Sequence, residues 1–478
     1  MAKNVLGISE KKTDDLSVWY TDVILKSELI DYTDVSGCMV IRPYAYSIWE
    51  KVVKVVDGKL KSMGISNAYF PLLIPERLLK KEQNHIKGFS PEVAWVTHAG
   101  DSKLDEKLAI RPTSETIMYE NYKKWIRSWR DLPLRLNQWN NVVRWEFKHP
   151  VPFLRTREFL WNEGHTVFAT KKEAEQECID ILDMYDSVLK DYFALYGIKG
   201  KKTEKEKFAG AEYTITIELL LPSGKAIQGP DAHFDGQNFA KAFGITYLDK
   251  NEKEQYVWQN TFAITTRMLG VMVMVHGDDH GLVLPPRLAP IEIVIVPIYF
   301  KDKELVLKKA NELKKQLENH SVYLDDRDEY KPGWKFNEWE LKGVPIRIEI
   351  GPKDIEKEQV IIVRRDNLKK EAVKIKDLAK KVDSELLAMH DALYNKSKKF
   401  LTENIAEIQN MAEFQKAINN GKIAKALFCG QPDCEETIKE LSGGAGSRNI
   451  PFHEKKTKGK CFACGKDSNY YTYFGKGY

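Results

Sequence analysis

Hydrophobic and polar positions in the first half of the chain follow two different periods. Residues 9–30 and 46–63 place apolar side chains at helical spacing and predict two helices. Residues 134–168 alternate apolar and polar side chains on both sides of a proline-containing loop, which predicts a hairpin of an antiparallel sheet. Residues 172–195 predict a long amphipathic helix, and the lysine-rich run KGKKTEKEK at 199–207 predicts a solvated connection.

The second half begins with further strands and then changes in character. Residues 212–227 and 256–264 predict strands, whereas 265–277 is apolar almost throughout, so periodicity cannot decide there between helix and strand. After a proline-rich boundary at 284–290, strand and helix patterns alternate in the order β-α-β-α-β, which predicts a parallel or mixed sheet. Residues 376–415 predict a charged helix that leads to the C-terminal tail.

Length and charge narrow the class of protein. The 478 residues suggest about three domains and allow a large buried core. The longest apolar runs, at 269–275 and 291–300, are far shorter than the roughly 20 residues that cross a bilayer, and the first residues show no signal-peptide pattern. We therefore expect no membrane association and a cytoplasmic protein. The net charge of +5 allows a polyanionic partner without requiring one.

Cysteine usage indicates a metal site rather than disulfides. Two of the six cysteines stand alone, and the others form two close pairs near the C-terminus, Cys429 with Cys434 and Cys461 with Cys464. Thiolates in two such pairs suit tetrahedral Zn²⁺, and four sulfur ligands leave no open position, so the predicted site is structural. Four reduced cysteines without a metal are the alternative. His453 is a further candidate ligand, although a surface residue is its more ordinary interpretation.

The densest group of charged residues lies in the predicted hairpin, in the strings Arg144-Trp-Glu146, Arg155-Thr-Arg157-Glu158-Phe159 and Trp161-Asn-Glu163-Gly-His165. Strand alternation puts Trp161, Glu163 and His165 on one face. Buried charges are costly unless each meets a partner or a ligand, and the planar fork of arginine binds phosphate and carboxylate through paired hydrogen bonds. One hypothesis is therefore an anion-binding face, and the alternative is a solvated sheet face with salt bridges.

Three shorter clusters of polar residues are weak signals when each is taken alone. They are Thr113-Ser114-Glu115, Gln228-Gly-Pro-Asp231-Ala-His233 and Thr265-Thr-Arg267. The first fits a helix cap formed by Thr113 or Ser114, the second a polar turn, and the third a capped or snorkelling arginine at the start of an apolar element.

Three longer strings make the order of these clusters specific. They are RPTSET at 111–116, RWEFKHPVPFLRTREFLWNEGHT at 144–166 and TTRMLGVMVMVHGDDHGLVLPPRLAP at 265–290. With them the chain resembles class II aminoacyl-tRNA synthetases over essentially its whole length, and within that class the prolyl-tRNA synthetases of the archaeal/eukaryotic type. The resemblance implies an α+β protein of three domains. These are an antiparallel-sheet catalytic domain at 1–290, an α/β anticodon-binding domain at 291–395 and a small zinc-bearing α+β domain at 396–478.

The resemblance also implies a reaction and the residues that carry it. L-Proline would react with ATP to form prolyl-adenylate, and the prolyl group would then pass to the 3′ end of tRNA(Pro). Arg144 and Arg267 would be the catalytic residues. The ATP site, with Mg²⁺, would consist of Arg144, Glu146, Arg155, Phe159, Gln228, His233, Thr265 and Arg267. The proline site would consist of Thr113, Glu115, Arg144, Trp161, Glu163 and His165. Asp231 is left out, because the family often has threonine there and an anion beside a nucleotide has no evident use.

Further implications of the resemblance concern partners and specificity. The segment that ends at Pro71 would lie at the interface of a homodimer, and the C-terminal Tyr478 carboxylate could fold toward the active site. Candidate readers of the anticodon are Arg327, Trp334, Lys335, Arg347 and Glu349, for which ordinary helix-face charge is the alternative. Only about 100 residues separate Glu163 from Thr265, which leaves no room for the editing insertion of some relatives. We therefore expect activation of alanine or cysteine without cis editing.

Two other functions remain open on the sequence. A sister synthetase for threonine or serine is one, but a threonyl site would need a Cys-His-His metal set, which the residues of the predicted pocket do not offer. A non-catalytic paralogue that acts as an RNA-binding or regulatory module is the other. Such a paralogue would be expected to lose its phosphate-binding arginines, whereas Arg144, Arg155 and Arg267 are all present.

Overall fold

The computed structural model describes residues 7–85, 92–146, 149–299, 302–452 and 457–478. Short 3-10 helices at Trp129–Asp131 and Ile375–Asp377 accompany the longer helices. The α-helices are α1 Leu16–Lys26, α2 Pro43–Ser62, α3 Glu76–His85, α4 Glu115–Trp125, α5 Lys171–Asp191, α6 Asn238–Phe243, α7 Arg267–His276, α8 Lys303–Gln316, α9 Pro332–Leu341, α10 Pro352–Glu356, α11 Leu378–Glu403, α12 Met411–Asn419 and α13 Pro432–Leu441.

The strands divide into three series along the chain. The first series is β1 Ile30–Tyr32, β2 Met39–Ile41, β3 Ser66–Asn67, β4 Leu73–Pro75, β5 Trp95–Ala99, β6 Ser102–Ile110, β7 Leu134–Val143, β8 Glu158–Phe168, β9 Ile198–Lys201, β10 Tyr213–Leu220, β11 Ala226–Gly236, β12 Thr246–Leu248, β13 Glu254–Tyr256 and β14 Trp258–Thr265. The second is β15 Ile293–Pro297, β16 Val322–Leu324, β17 Ile346–Ile350, β18 Gln359–Arg364 and β19 Lys370–Lys374. The third is β20 Ile405–Glu407, β21 Ile423–Leu427, β22 Ala445–Pro451, β23 Gly459–Lys460, β24 Asp467–Ser468 and β25 Tyr471–Lys476.

One large sheet joins the first and third series of strands. Its order is β20-β21-β25-β22-β9-β10-β11-β14-β8-β7-β3. Every neighbouring pair from β21 to β7 is antiparallel, whereas the two edge pairs, β20 with β21 and β3 with β7, are parallel. A separate sheet forms from the second series. Antiparallel sheet and α/β unit lie in different parts of the chain, so the fold class is α+β, as the resemblance implied.

The predicted hairpin at 134–168 is confirmed, because β7 and β8 pair antiparallel from Leu134 opposite Val167 to Val143 opposite Glu158. The alternation along β8 separates two kinds of environment. Asn162 accepts a hydrogen bond from Tyr185 of α5 at 3.0 Å, so this side of β8 faces the helix. The intervening residues Trp161, Glu163 and His165 therefore face the other way, toward the candidate site.

The helix predicted at 172–195 is confirmed as α5, which covers the back of the sheet. A capping box starts it, since the Thr170 hydroxyl accepts from the backbone of Glu173 and the Glu173 carboxylate accepts from the backbone of Thr170. Its buried side chains join the main core with residues of α1, α2 and α7. The opposite face of the sheet is thus left to carry polar residues.

The prediction of a solvated connection at 199–207 is wrong. Residues 198–201 form β9, and Lys202 is buried, with its Nζ atom 2.5 Å from the Glu218 carboxylate of β10. Thr203 is buried as well. A lysine-rich run is normally solvated, but here Glu218 supplies an opposite charge that makes burial of Lys202 tolerable.

Two other segments differ from simple periodicity. Residues 265–277, which periodicity could not assign, contain the helix α7, and all but one of its last nine residues are buried. The charged helix predicted over 376–415 is too long, because α11 ends at Glu403. There the chain turns into β20, whose backbone pairs in parallel with β21.

The β-α-β-α-β order after the boundary near residue 290 is confirmed. The sheet of this unit has the order β16-β15-β17-β18-β19, in which β15 runs parallel to β16 and β17 while β18 and β19 are antiparallel to their neighbours. The sheet is therefore mixed. Its apolar core comes mainly from β15, α8, β17 and α11. Within the described ranges of the chain, no helix combines the length and apolarity needed to span a bilayer.

Candidate active site and metal centre

A cavity of about 550 Å³ opens on the polar face of the large sheet. Every residue that the resemblance assigned to ATP or to proline lines this cavity. The residues come from the start of α4, the β7–β8 hairpin, β11, the end of β14 and the start of α7, which lie far apart along the sequence. The fold therefore brings together the clusters that were weak signals when each was taken alone.

Strand register arranges the floor of the cavity in levels. Trp161 of β8 lies opposite Thr265 of β14, and Glu163 lies opposite Ala263. His165 lies opposite Thr261, which in turn lies opposite His233 of β11. The cavity thus has an arginine end, near Thr265 and the start of α7, and a histidine end, near His165 and His233.

Three guanidinium groups, those of Arg144, Arg155 and Arg267, line the cavity. The Nε of Arg267 donates to the carbonyl of Leu154 at 3.1 Å. Burial lowers the pKa of the Arg267 guanidinium, and the positive charges of Arg144 and Arg155 lower it further, against the opposite effect of Asp231. Crowded cations of this kind are relieved by a bound polyanion.

The aromatic rings of Phe159 and Trp161 flank Arg144. The two ring centroids lie 5.7 Å apart in an edge-to-face arrangement, and the Arg144 guanidinium lies 5.5 Å from one ring centroid and 5.4 Å from the other. The Nε of Arg144 donates to the Pro112 carbonyl at 3.1 Å. Glu146, by contrast, is exposed at the mouth of the cavity. Arg144 is thus fixed in direction before any ligand binds.

Glu163 is buried and accepts hydrogen bonds from several side chains. Asn140 donates at 2.5 Å, Gln138 at 3.0 Å and the backbone amide of Ser114 at 3.1 Å, and the Ser114 hydroxyl also donates. Burial alone would raise the pKa of the Glu163 carboxyl, but these bonds and one from His165 hold it below its ordinary value. Ser114 occupies the first position before α4 but makes no side-chain cap there, because its hydroxyl is used on Glu163.

Glu115 and Thr113 lie at the start of α4 beside this network. The Thr113 hydroxyl donates to the Glu115 carboxylate, and both side chains are buried. The His165 ring contacts Tyr119 of the same helix, with the phenol oxygen 3.2 Å from Nδ1. A buried carboxylate next to a hydroxyl and an indole offers acceptors for an ammonium group and a flat apolar wall.

Sequence reasoning missed Asp231, which lines the cavity. Its carboxylate accepts from the Gln228 amide at 2.5 Å and lies 3.6 Å from His233 Nε2. Burial lowers the pKa of the His233 imidazole against the opposite effect of Asp231. Asp231 and His233 stand two apart in β11 and therefore share one face, a signal that was lost because this segment was predicted to be a polar turn.

Sequence reasoning also missed the wall formed by Glu206, Lys207 and Phe208, all of which line the cavity. The Phe208 ring lies 4.9 Å from the His233 ring, and its backbone amide donates to the Thr214 hydroxyl at 2.9 Å. These residues belong to or directly follow the run that was predicted to be solvated. No local signal distinguishes them from a surface loop, since their role depends on the fold of β9 and β10.

The five anticodon candidates lie in the α/β unit, away from the cavity. The carboxylate of Asp325 binds Arg327 at 2.7 Å and lies 3.5 Å from Lys335, which is only 2% exposed. Arg347 pairs with Glu349 at 3.0 Å, and both are 6% exposed. Trp334 stacks on Tyr330 at 3.8 Å. Most of these charged side chains form ion pairs with other residues of the protein. Their contact with an anticodon stays a prediction.

The four C-terminal cysteines form one cluster in which all sulfur atoms lie within 4.8 Å of one another. Cys434 and Cys461 are 3.9 Å apart, and Cys429 and Cys464 are 3.6 Å apart. A tetrahedral zinc ion with Zn–S bonds of about 2.3 Å requires sulfur separations of about 3.8 Å, so the spacing fits Zn²⁺. His453 lies outside the described residues.

The clustered thiols differ in pKa: burial raises the pKa of Cys429 and Cys434 above the ordinary thiol value, whereas the pKa of Cys464 departs in the opposite direction. Burial would raise the pKa of Cys464, but the backbone amide of Lys466 and the neighbouring thiols lower it to about 7. A thiolate, the form that binds a metal, is therefore accessible near neutral pH. The cluster is separate from the cavity and offers no open coordination position, so Zn²⁺ there would be structural.

Family models match three stretches of the chain. The model described as "tRNA synthetase class II core domain (G, H, P, S and T)" matches residues 95–276. The "Anticodon binding domain" model matches residues 292–385, and the "Prolyl-tRNA synthetase, C-terminal" model matches residues 411–478. The first match contains the residues that line the cavity, and the third contains the four cysteines.

Similar proteins extend over the full length. The chain is 49% identical over 479 residues to a Proline--tRNA ligase 2 of Bacillus cereus and 50% identical over 482 residues to the Proline--tRNA ligase of Ruminiclostridium cellulolyticum, with 100% of each chain covered. It is also 46% identical over 499 residues to the Bifunctional glutamate/proline--tRNA ligase of Mus musculus, covering 99% of this chain and 33% of that protein. The chain belongs to the prolyl-tRNA synthetase family of class II aminoacyl-tRNA synthetases.

Proposed function

We propose that this protein is a proline–tRNA ligase, which activates L-proline with ATP and transfers it to tRNA(Pro), and that the cavity on the large sheet is its active site. The observation that carries the proposal is the convergence of Arg144, Arg155 and Arg267 in one cavity with the buried acceptors Thr113 and Glu115. Cations suit the triphosphate and the amino-acid carboxylate, while the acceptors suit the secondary ammonium of proline.

In the first half-reaction the proline carboxylate oxygen attacks the α-phosphorus of ATP, an O–P bond to pyrophosphate breaks, and prolyl-adenylate forms. Both reactants are anionic, so the site must neutralise charge and hold the attack in line. Arg144, fixed by the Pro112 carbonyl, would bind the carboxylate and the α-phosphate. Arg267 and Arg155 would bind the outer phosphates. The enzyme then needs no side-chain nucleophile.

Mg²⁺ accompanies ATP in class II synthetases and supplies further neutralisation of the phosphate oxygens. Asp231 and Gln228 offer the hard oxygen donors that this ion prefers, and both line the cavity beside Arg267. An anion at position 231 is then useful rather than harmful. Glu146 and Phe159 would hold the adenine, with Thr265 completing the nucleotide site. His233, which the resemblance assigned to ATP, shares its level in the sheet with His165, and we propose it for the proline end instead.

The proline end of the site would lie between α4 and β8. Glu115 and Thr113 would accept the two N–H bonds of the imino acid, and Trp161 with His165 would form the wall against its ring. Glu163 makes its hydrogen bonds to Ser114, Gln138 and Asn140. We therefore assign Glu163 the task of fixing the start of α4 rather than of touching proline.

We also propose the domain limits 1–290, 291–395 and 396–478, with the second domain binding the anticodon and the third bearing Zn²⁺. Separate apolar cores support the second and third domains, and the limit between these two domains falls within α11. A homodimer is proposed because apolar side chains are exposed around β1, β2 and the start of β4, namely Tyr32, Val35, Val40, Tyr69, Leu72 and Leu73. The cytoplasm is the proposed compartment, because six unpaired cysteines suit reducing conditions.

Pyrophosphate exchange with each proteinogenic amino acid tests the activity. Strong exchange with proline and none with threonine or serine is expected. Arg267→Ala should lower kcat/KM for exchange by a factor of about 100 or more, as loss of one charge-stabilising group typically does. Arg364→Ala, which removes an arginine of the α/β unit, is the matched control. Exchange that depends on another amino acid, or that is indifferent to Arg267, would contradict the proposal.

A further inference from the structure

The residues that connect β9 to β10 contact two sites at once. On one side, Glu206, Lys207 and Phe208 line the cavity. On the other side, β9 pairs with β22 of the C-terminal domain, with Lys201 opposite Ile450. We call residues 203–208 the bridging segment. It lies between the proposed active site and the domain that carries the cysteine cluster.

A chain of buried hydrogen bonds runs from the bridging segment into that domain. The Ser447 hydroxyl donates to the Glu435 carboxylate at 2.5 Å, and the backbone amide of Ser447 donates to the same oxygen at 3.3 Å. The hydroxyls of Ser447 and Thr203 are 2.9 Å apart. A hydroxyl has one proton, and Ser447 uses its own on Glu435, so Thr203 must be the donor in the second bond. All three side chains are buried.

Glu435, at one end of this series of hydrogen bonds, lies directly beside the metal cluster. Glu435 follows Cys434 in α13, so a zinc ion on Cys434 would fix the helix turn that presents the Glu435 carboxylate. Glu436, the next residue, forms an ion pair with Lys205 of the bridging segment. One helix turn thus holds a ligand cysteine, Glu435, which reaches Thr203 through Ser447, and Glu436, which contacts the bridging segment directly.

Thr203, at the other end of this series of hydrogen bonds, leads to the histidine end of the cavity. The backbone amides of Glu206 and Lys207 donate to the Thr203 carbonyl at 3.2 and 3.0 Å, so Thr203 starts a tight turn. That turn delivers Phe208 onto the His233 ring. By strand register His233 shares its level with His165, which belongs to the proposed proline end rather than the triphosphate end.

We propose that Thr203, Ser447 and Glu435 are positioning residues, through which the cysteine domain sets the wall of the proline site. The proposal rests on the proposed function. Loss of these hydrogen bonds would let the bridging segment move while the arginines stay in place. The KM for proline should therefore rise, with the KM for ATP nearly unchanged.

Thr203→Val and Thr203→Ser form the first test, since valine keeps the shape and loses the donor, whereas serine keeps it. In pyrophosphate exchange, Thr203→Val should raise the KM for proline about fivefold, the size expected for one hydrogen bond. Thr203→Ser should restore the wild-type value. Ser447→Ala should match Thr203→Val, and the double variant should be no worse than either single one, because all break one chain.

Controls separate positioning from general damage. Thr437→Ala removes an exposed hydroxyl from the same helix as Glu435 and should change neither KM. Zinc content of each variant, by metal analysis, should equal that of the wild type. Hydrogen–deuterium exchange supplies a readout independent of activity. Amides of residues 203–208 should exchange faster in Thr203→Val, and faster in the wild type after zinc is chelated.

The outcomes are decisive in each case. Unchanged proline KM and unchanged amide exchange in Thr203→Val, with zinc retained, would overturn the inference. If Ser447→Ala loses zinc or unfolds, Thr203→Val decides, because it lies outside the cysteine domain. A wild-type protein that shows no proline-dependent exchange would overturn the proposed function instead, so the two failures are distinguishable.

Discussion

The Arg365 guanidinium donates two hydrogen bonds to the Asp278 carboxylate, at 2.7 and 2.5 Å. Arg365 follows β18 in the α/β unit and its side chain is 1% exposed, whereas Asp278 lies just after α7. Because α7 begins at Arg267 in the cavity, this pair ties the α/β unit to the far end of a helix of the active site.

Arg365→Ala should therefore impair transfer to tRNA more than activation. Only Arg365 is fully buried, and the Asp278 carboxylate, which is 36% exposed, can be hydrated when its partner is lost, so the substitution should cost about 1 kcal/mol of unfolding free energy. We expect tRNA aminoacylation to fall about tenfold while pyrophosphate exchange without tRNA falls less than about twofold. Arg364→Ala, which breaks pairs with Asp366 and Glu385 inside the α/β unit, should leave the ratio of the two rates unchanged. Equal losses in both assays would contradict the coupling.

Glu163→Ala should damage both stability and activation. It leaves the buried donors of Ser114, Gln138 and Asn140 without their acceptor, at a cost of about 3 kcal/mol. Displacement of α4 should then lower kcat/KM for proline about 100-fold. Glu163→Gln, which keeps one acceptor oxygen, should be intermediate, and Glu175→Ala on α5 is the surface control. A Glu163→Ala protein with normal KM for proline would sink the assignment.

His276 predicts a pH dependence of stability. Its ring is buried at the end of α7, with Nε2 donating to the Phe193 carbonyl at 2.8 Å, and burial lowers the imidazole pKa from 6.5 to about 3. Below pH 6.5 the His276 imidazole is protonated in the unfolded state but stays neutral in the folded state. Stability should thus decline toward pH 3, at about 1.4 kcal/mol per pH unit from this group.

His276→Gln should remove that decline, because glutamine can donate to the same carbonyl but does not titrate. The difference in unfolding free energy between wild type and variant should change by about 1 kcal/mol between pH 7 and pH 5.5 in denaturant titrations. His280→Gln, at an exposed histidine of the following turn, is the control. Parallel pH profiles for wild type and His276→Gln would refute the assignment.

The cysteine cluster predicts about one equivalent of zinc per chain. Cys461→Ser should lose the metal and expose the core around Phe462, with a lower thermal midpoint. Cys38→Ser, at a cysteine remote from the cluster, should keep both. Purified protein without zinc, in which all four clustered thiols react freely, would count against the site.

Discrimination against smaller amino acids should be incomplete. Between β8 and β14 the chain contains α5, β9–β13 and α6, all part of the folded core or its edge, and no separate editing domain. A missing methylene costs only about 1–3 kcal/mol in binding. Alanine or cysteine should therefore support measurable pyrophosphate exchange and stable mischarged tRNA. Absence of signal with both would show a stricter pocket than this geometry implies.

Local patterns were sufficient for elements whose partners lie nearby in sequence. The β7–β8 hairpin and α5 follow from alternation and helical spacing alone, because each buries a continuous stripe. The candidate site was harder. Hydrophobic periodicity does not reveal that Arg144 and Arg267 line one cavity. Only the residue sequences of the motifs, through their resemblance to a family, predicted that the two arginines share a site.

The errors have one physical source, which is pairing over long sequence distances. Lys202 was expected in solvent because its partner Glu218 lies on another strand. Thr113 or Ser114 was expected to cap α4, but the Thr113 hydroxyl donates to Glu115 and the Ser114 hydroxyl donates to Glu163. The end of α11 depends on β21, which pairs with residues just beyond it. In each case a tertiary partner overrode a sound local preference.

The pairing of β22 with β9 has a consequence for shortened versions of this chain. Removal of residues 396–478 would remove β22, the neighbour of β9 in the sheet. The backbone amide and carbonyl groups around Gly200 and Lys201 would then be unpaired at an exposed sheet edge. Open edges recruit strands from other molecules. A protein truncated in this way should therefore aggregate or exchange strands with other molecules before its activity can be assayed. Loss of activity after truncation would then not report the role of the C-terminal domain.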